Sequence, residues 1–254
     1  MNENFVAKTF DTLPCDGATL EDLNVKIFKE NYLLDAVAPE VVRENHRETD
    51  EQLGSLKMYD LLHNIPTNAG VLTLGFDSLD FMPGAYIQYV KFSGKSTDSI
   101  VNEKRFSGNL VELLKNLDDF VKNNVITQKP VFVSTLREKP VFNYPYIAVR
   151  EMLMNAIMHR NYESNAPIRF YEYSDRIEIQ NPGSLYGQAN KTNFPRVSDY
   201  RNPVIAEVLK NLGYINRFNV GISNAKILLK ENGNLAPEFD LEIEPNFLVT
   251  IFST

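Results

Sequence analysis

Apolar positions in this chain recur with two different periods, and the switches between them mark its elements. Over residues 19–34, TLEDLNVKIFKENYLL, Leu23, Ile27 and Leu34 share one helical face. Thr19 stands where it can cap the first turn, and Glu21 and Asp22 sit where the positive end of a helix dipole favours acids. A second helix is predicted over 51–62. The period then becomes that of strands: AGVLTLG (69–75), a Pro83-Gly84 turn, and AYIQYVKF (85–92), rich in aromatic and branched residues. Helical spacing returns over 109–123, where Leu110, Leu113, Leu114, Leu117 and Val121 form a stripe suited to packing on those strands. A strand is predicted at 131–136.

Asn143-Tyr144-Pro145 is a helix-start signal, and the helix it opens runs to about Arg160. Ile147, Ala148, Val149, Met152, Leu153, Met154, Ala156, Ile157 and Met158 surround most of its circumference, so burial on nearly all sides is expected. Glu151, Asn155 and His159 nevertheless stack at i, i+4 and i+8 in one narrow stripe. A polar stripe on a buried helix is costly unless it faces something polar. Two short strands follow, 167–173 and 176–180, joined at Ser174-Asp175, and the second ends in Asn181-Pro182-Gly183. Residues 184–201 show no period and read as a lid or binding loop. Helices are predicted from Asn202-Pro203 to Gly213 and from Gly221 to Lys230, then strands at 239–243 and 247–252. The pattern as a whole is that of an α/β (α+β) protein with mixed sheets and packed helices, divided into an N-terminal α/β region (1–142) and a C-terminal domain (143–254).

Composition narrows the function classes. Of 254 residues, 43% are hydrophobic and 23% charged, an ordinary globular balance, and no apolar run approaches the ~20 residues of a membrane-spanning helix. The polar start and the single cysteine, Cys15, lead to the expectation of a cytoplasmic protein without membrane contact. Net charge is -7, and residues 1–64 carry all of it, with 13 acids against 6 bases. Neither half has the basic excess that phosphate contacts along a duplex require, which disfavours direct DNA binding by this chain. Metal-thiolate clusters, HExxH, GxSxG and a lysine-containing Walker loop are all missing from the sequence.

The stripe Glu151-x-x-x-Asn155-x-x-x-His159, the strand-turn-strand into Asn181-Pro182-Gly183, and the glycine opening a helix at Gly221 resemble the GHKL ATP-binding fold, shared by gyrase and histidine kinases. The strings PTNAGVLTLG, NYPYIAVREMLMNAIMHRNY, DRIEIQNPGSLYG and FPRVSDYRNPVIAEVLKNLGYINRF are similar to a narrower group. These are bacterial transcriptional regulators, often labelled ATP-dependent helicase-like, that join a Schlafen/AlbA-type DNA-binding domain to a divergent histidine-kinase-like ATPase domain. The resemblance implies that residues 143–254 form a GHKL-like (Bergerat) two-layer sandwich. It also implies that the chain corresponds to the middle of such a protein, lacking most of the AlbA-type domain, so that DNA would be met only through domains absent from it.

The resemblance also assigns roles. Asn155 would give a side-chain oxygen to Mg²⁺, a hard cation content with one protein ligand, phosphate oxygens and waters. Glu151, one turn earlier, would lie beside the terminal phosphate and orient or deprotonate a water. His159 would line the nucleotide site. Gly221 would let a helix start face phosphate oxygens, with Asn219 where the family's phosphate loop carries glycine. Asn181 stands in place of the aspartate that accepts from the adenine amino group, and Gly183 would allow close approach of the base. The implied function is that of a regulator in which ATP acts mainly as a conformational ligand, with slow hydrolysis at most. The alternative is a GHKL-fold interaction or oligomerisation module that binds no nucleotide.

Overall fold

The computed structural model describes residues 8–197, 199–215, 221–242 and 245–254. Its centre is a mixed six-stranded sheet of β1 (Ile87–Phe92), β2 (Ile100–Phe106), β3 (Ile168–Glu172), β4 (Arg176–Pro182), β5 (Glu238–Asp240) and β6 (Asn246–Phe252), in the order β2-β1-β3-β4-β6-β5. β1 and β3 are parallel, and the other neighbours are antiparallel. Side chains alternate across a strand, so register decides what meets what. Tyr89 lies opposite Phe170, Phe170 opposite Ile179, and Ile179 opposite Val249, a buried row across four strands. Glu172 falls on the same face as Phe170 and is also buried. It is tolerated there because the Tyr89 hydroxyl donates to Oε2 and Lys91 Nζ lies 2.7 Å from Oε1. The sheet takes two strands from before residue 143 and four from after it, and one continuous apolar core spans both parts.

Five principal helices pack around it: α1 (Asn68–Leu74), α2 (Leu110–Phe120), α3 (Tyr146–His159), α4 (Pro203–Asn211) and α5 (Gly221–Asn232). The predicted leucine stripe of α2 is buried, and Asn109 Oδ1 accepts from the Glu112 N–H at 3.0 Å to start the helix. α3 is buried nearly all round, as its composition predicts, and lies against α5 and β4. Burial of Met152, Leu153 and Ile157 contributes about 1.5 to 3 kcal/mol each. Its last turn ends in a long-range cap, Asn202 Nδ2 donating to the carbonyls of Met158 at 3.0 Å and Arg160 at 2.8 Å. α4 begins at Pro203, and the chain leaves it through Gly213, at φ +77°. Its buried first-turn amides at Val204 and Ile205 donate to Asp11 Oδ2 at 2.7 and 3.2 Å, stitching the N-terminal segment onto the C-terminal part of the fold.

Several expectations need correction. Residues 69–74 belong to a helix, α1, fully buried and capped by Thr67 Oγ1, which accepts from the Gly70 N–H at 3.1 Å, and Gly75 ends it. A short apolar run bounded by turn formers carries no period that separates a buried strand from a buried helix. Over 19–34 the chain forms a 3₁₀ turn at Leu20–Asp22, a short α-turn at Val25–Ile27, a π-turn at Phe28–Tyr32 and a last turn at Leu33–Ala36. The helix predicted over 51–62 spans Thr49–Ser55, and Tyr59–Asp60 then pairs with Ile65–Pro66. The strand at 131–136 is half of a ribbon, Gln128–Ser134 against Arg137–Phe142, and strand β2 was not foreseen. No helix among the described residues is long and apolar enough to cross a membrane.

Candidate functional site

α3 and the end of β4 converge on one cavity of about 130 Å³, floored by Ile179 and Val249 of the sheet and roofed by residues of the 184–201 segment. Six of the seven residues singled out from the sequence line it: Glu151, Asn155, His159, Asn181, Gly183 and Gly221. Asn219 lies outside the described residues.

The helix stripe presents three groups in different states. Asn155 Nδ2 donates to the Glu151 carbonyl at 2.8 Å, which ties the nitrogen to the helix and leaves Oδ1 accepting no hydrogen bond among the described residues. Glu151 is buried, with Oε1 3.2 Å from Arg150 Nη2 and Oε2 against the first residue of α5. A Cβ at Gly221 would collide with that oxygen, so any larger residue there would oblige the Glu151 carboxylate to move. His159 stacks on Tyr200, with ring centroids 5.9 Å apart and planes 10° from parallel. Burial, reinforced by the Arg201 guanidinium and partly offset by Asp199, pushes its imidazole down to about 4, so the ring is neutral at neutral pH.

At the other wall, Asn181 exposes only 3% of its surface, and its buried Oδ1 has no hydrogen-bond partner. Its backbone is held by pairing with Phe247, which places the residue on this wall while no hydrogen bond among the described residues orients its carboxamide. Buried polar atoms are almost always paired, so an orphan oxygen on a residue that lines the cavity calls for a partner such as a ligand or an ordered water. Gly183 follows at φ +116°, where a Cβ would stand 3.1 Å from the Asn161 nitrogen. Its first role is therefore to turn the chain sharply out of β4 against the end of α3.

The loop supplies residues that no sequence period signals. Arg201 donates from Nε to the His159 carbonyl at 3.1 Å and from Nη2 to the Ser184 carbonyl at 3.0 Å, while its guanidinium covers the Tyr186 ring at 4.7 Å. These contacts pin both ends of the segment to α3. Phe194, which precedes a cis proline, packs edge-on against Phe239 and Phe247 at 5.2 and 5.5 Å, anchoring the middle of the loop to the sheet's end. Among the described residues no group of three or more His, Cys, Asp and Glu side chains is arranged to hold a metal. Cys15 is buried elsewhere, its thiol pushed up to about 11 chiefly by burial, and stays protonated.

Comparisons with known proteins bear on the fold and on the C-terminal part of the chain. No curated protein matches the chain. A crystal structure of the DIP2311 protein from Corynebacterium diphtheriae has the same fold, with a TM-score of 0.73 and 20% sequence identity over 97% of this chain. This chain spans 48% of that protein's length. Residues 165–251 match the family model described as "Putative ATP-dependent DNA helicase recG C-terminal". The part of the chain that carries Asn181, the loop and α5 is thus similar to a helicase-like, GHKL-type ATPase domain.

Proposed function

We propose that the cavity between α3, β4 and the 184–201 segment binds a purine nucleoside triphosphate with Mg²⁺, and that the nucleotide acts as a conformational ligand of a regulatory protein. The observation that carries this reading is the unpaired, buried carboxamide of Asn181 on the wall facing Asn155 and Glu151. The two walls suit the two ends of such a ligand. Asn181 offers hydrogen bonds to a base edge, and Asn155 Oδ1 is free to ligate a cation that also carries phosphate oxygens. Glu151 has one oxygen paired with Arg150 and the other against Gly221, a restrained carboxylate better suited to holding a water than to rapid proton transfer, which supports slow turnover at most. The similarity of residues 165–251 to an ATPase-like family supports the same reading. Cytoplasmic location, transcriptional regulation and DNA contact through further domains of a longer protein belong to this proposal.

The test is Asn155→Ala. Alanine keeps the helix and removes the free oxygen, so Mg-ATP affinity is expected to fall at least tenfold while the melting temperature without nucleotide changes little. Unchanged affinity with a lowered melting temperature would sink the role. A second reading, a contact module for another copy of the chain, is favoured by the ribbon at 128–142, which exposes 70% of Phe132 and 97% of Leu136. A chain that binds no nucleotide but dimerises through that ribbon would establish it.

A further inference from the structure

The 181 position bears on which nucleotides the site accepts, an inference that rests on the nucleotide reading above. A carboxylate offers acceptors only, whereas the carboxamide of Asn181 offers one acceptor and one donor. What decides the choice of base is whether the protein fixes which end faces inward. Here it does not: the side chain makes no hydrogen bond among the described residues, at Oδ1 or at Nδ2, and its inner atom is buried without a partner. With nothing holding its orientation, the amide can turn over by 180° and exchange donor for acceptor.

The two orientations match two base edges. Adenine presents an amino donor beside a ring-nitrogen acceptor, and hypoxanthine presents the reverse, a ring N–H donor beside a carbonyl acceptor. We infer that Asn181 makes this a relaxed purine site, accepting 6-oxo as well as 6-amino purine nucleoside triphosphates by rotation of one carboxamide. An aspartate here would still accept from the adenine amino group, but one of its oxygens would face the hypoxanthine carbonyl without a proton between them.

The test is calorimetric titration of Mg-ATP and Mg-ITP into the full chain and into Asn181→Asp, with melting curves to verify folding. The wild type is expected to bind the two within tenfold of each other, and Asn181→Asp to favour ATP by at least a further tenfold. Asn181→Ala, which removes both groups, is expected to weaken both nucleotides alike and keeps the inference testable if the aspartate variant does not fold. Wild-type binding of ATP with more than tenfold preference over ITP, or an unchanged ratio in Asn181→Asp, overturns the relaxed-site inference and leaves the nucleotide reading standing. Binding of neither nucleotide to the wild type overturns both.

Discussion

Replacing Asn181 by leucine is expected to stabilise the fold and to weaken nucleotide binding in the same molecule. The buried Oδ1 has no partner, so the native chain bears the desolvation cost of an unmade hydrogen bond, roughly 1 to 3 kcal/mol. Leucine removes that cost and adds apolar surface beside Ile179 and Val249, with the extra volume taken up by the cavity. A gain near 2 kcal/mol corresponds to a rise of about 4 to 8 °C in melting temperature for a chain of this size. Binding moves the other way, because the base would lose its hydrogen-bonding partner and meet two methyl groups. A loss of tenfold or more, equivalent to about 1.4 kcal/mol, is expected. Thermal melts followed by calorimetric titration of Mg-ATP read both quantities. A variant that melts lower than wild type and binds as well would refute the reasoning, since Asn181 would then be a structural group.

Other consequences are open to measurement. Asp11→Ala strands two amides at the start of α4 and should cost about 3 kcal/mol, read by urea unfolding; a change under 1 kcal/mol would mean that the N-terminal segment is not bound there as described. The depressed pKa of His159 means that the unfolded chain takes up a proton first as pH falls, so its contribution to stability is intact above about 6.5 and lost towards about 4, at no more than ~1.4 kcal/mol per pH unit. Unfolding profiles of wild type and His159→Gln should therefore converge between pH 7 and pH 5, and parallel profiles would contradict the burial of the ring. Glu172→Ala leaves the buried Tyr89 hydroxyl without an acceptor and should destabilise by roughly 1 to 3 kcal/mol with nucleotide affinity unchanged, because the cluster lies away from the cavity lining.

Much of this was legible in the sequence, for identifiable physical reasons. The α3 stripe stood out because Glu151, Asn155 and His159 interrupt an otherwise apolar surface at helical spacing, and the cavity lies along that stripe. Asn181 was reachable through the resemblance, which sets the strand-ending Asn-Pro-Gly where the family carries its adenine-contacting aspartate. Other contributors were not legible. Arg201, Tyr200 and Phe194 lie in a loop without a period, and their partners, the His159 and Ser184 carbonyls and the rings of Phe239 and Phe247, are set by tertiary placement. β2 was missed because its exposed edge position, with Glu103, Lys104 and Arg105, removes the alternation that marks a half-buried strand. α1 was misread as a strand because full burial erases the polar face by which a helix is recognised.

The most direct test of the nucleotide site is a crystal structure of the chain with Mg²⁺ and a non-hydrolysable ATP analogue. The base is expected against the Asn181 carboxamide, with the cation ligated by Asn155 Oδ1 and the phosphates between that oxygen and the start of α5. A nucleotide bound elsewhere, or a cavity that stays empty at saturating analogue while Asn181 remains unpaired, would contradict the assignment of this cavity as a nucleotide site.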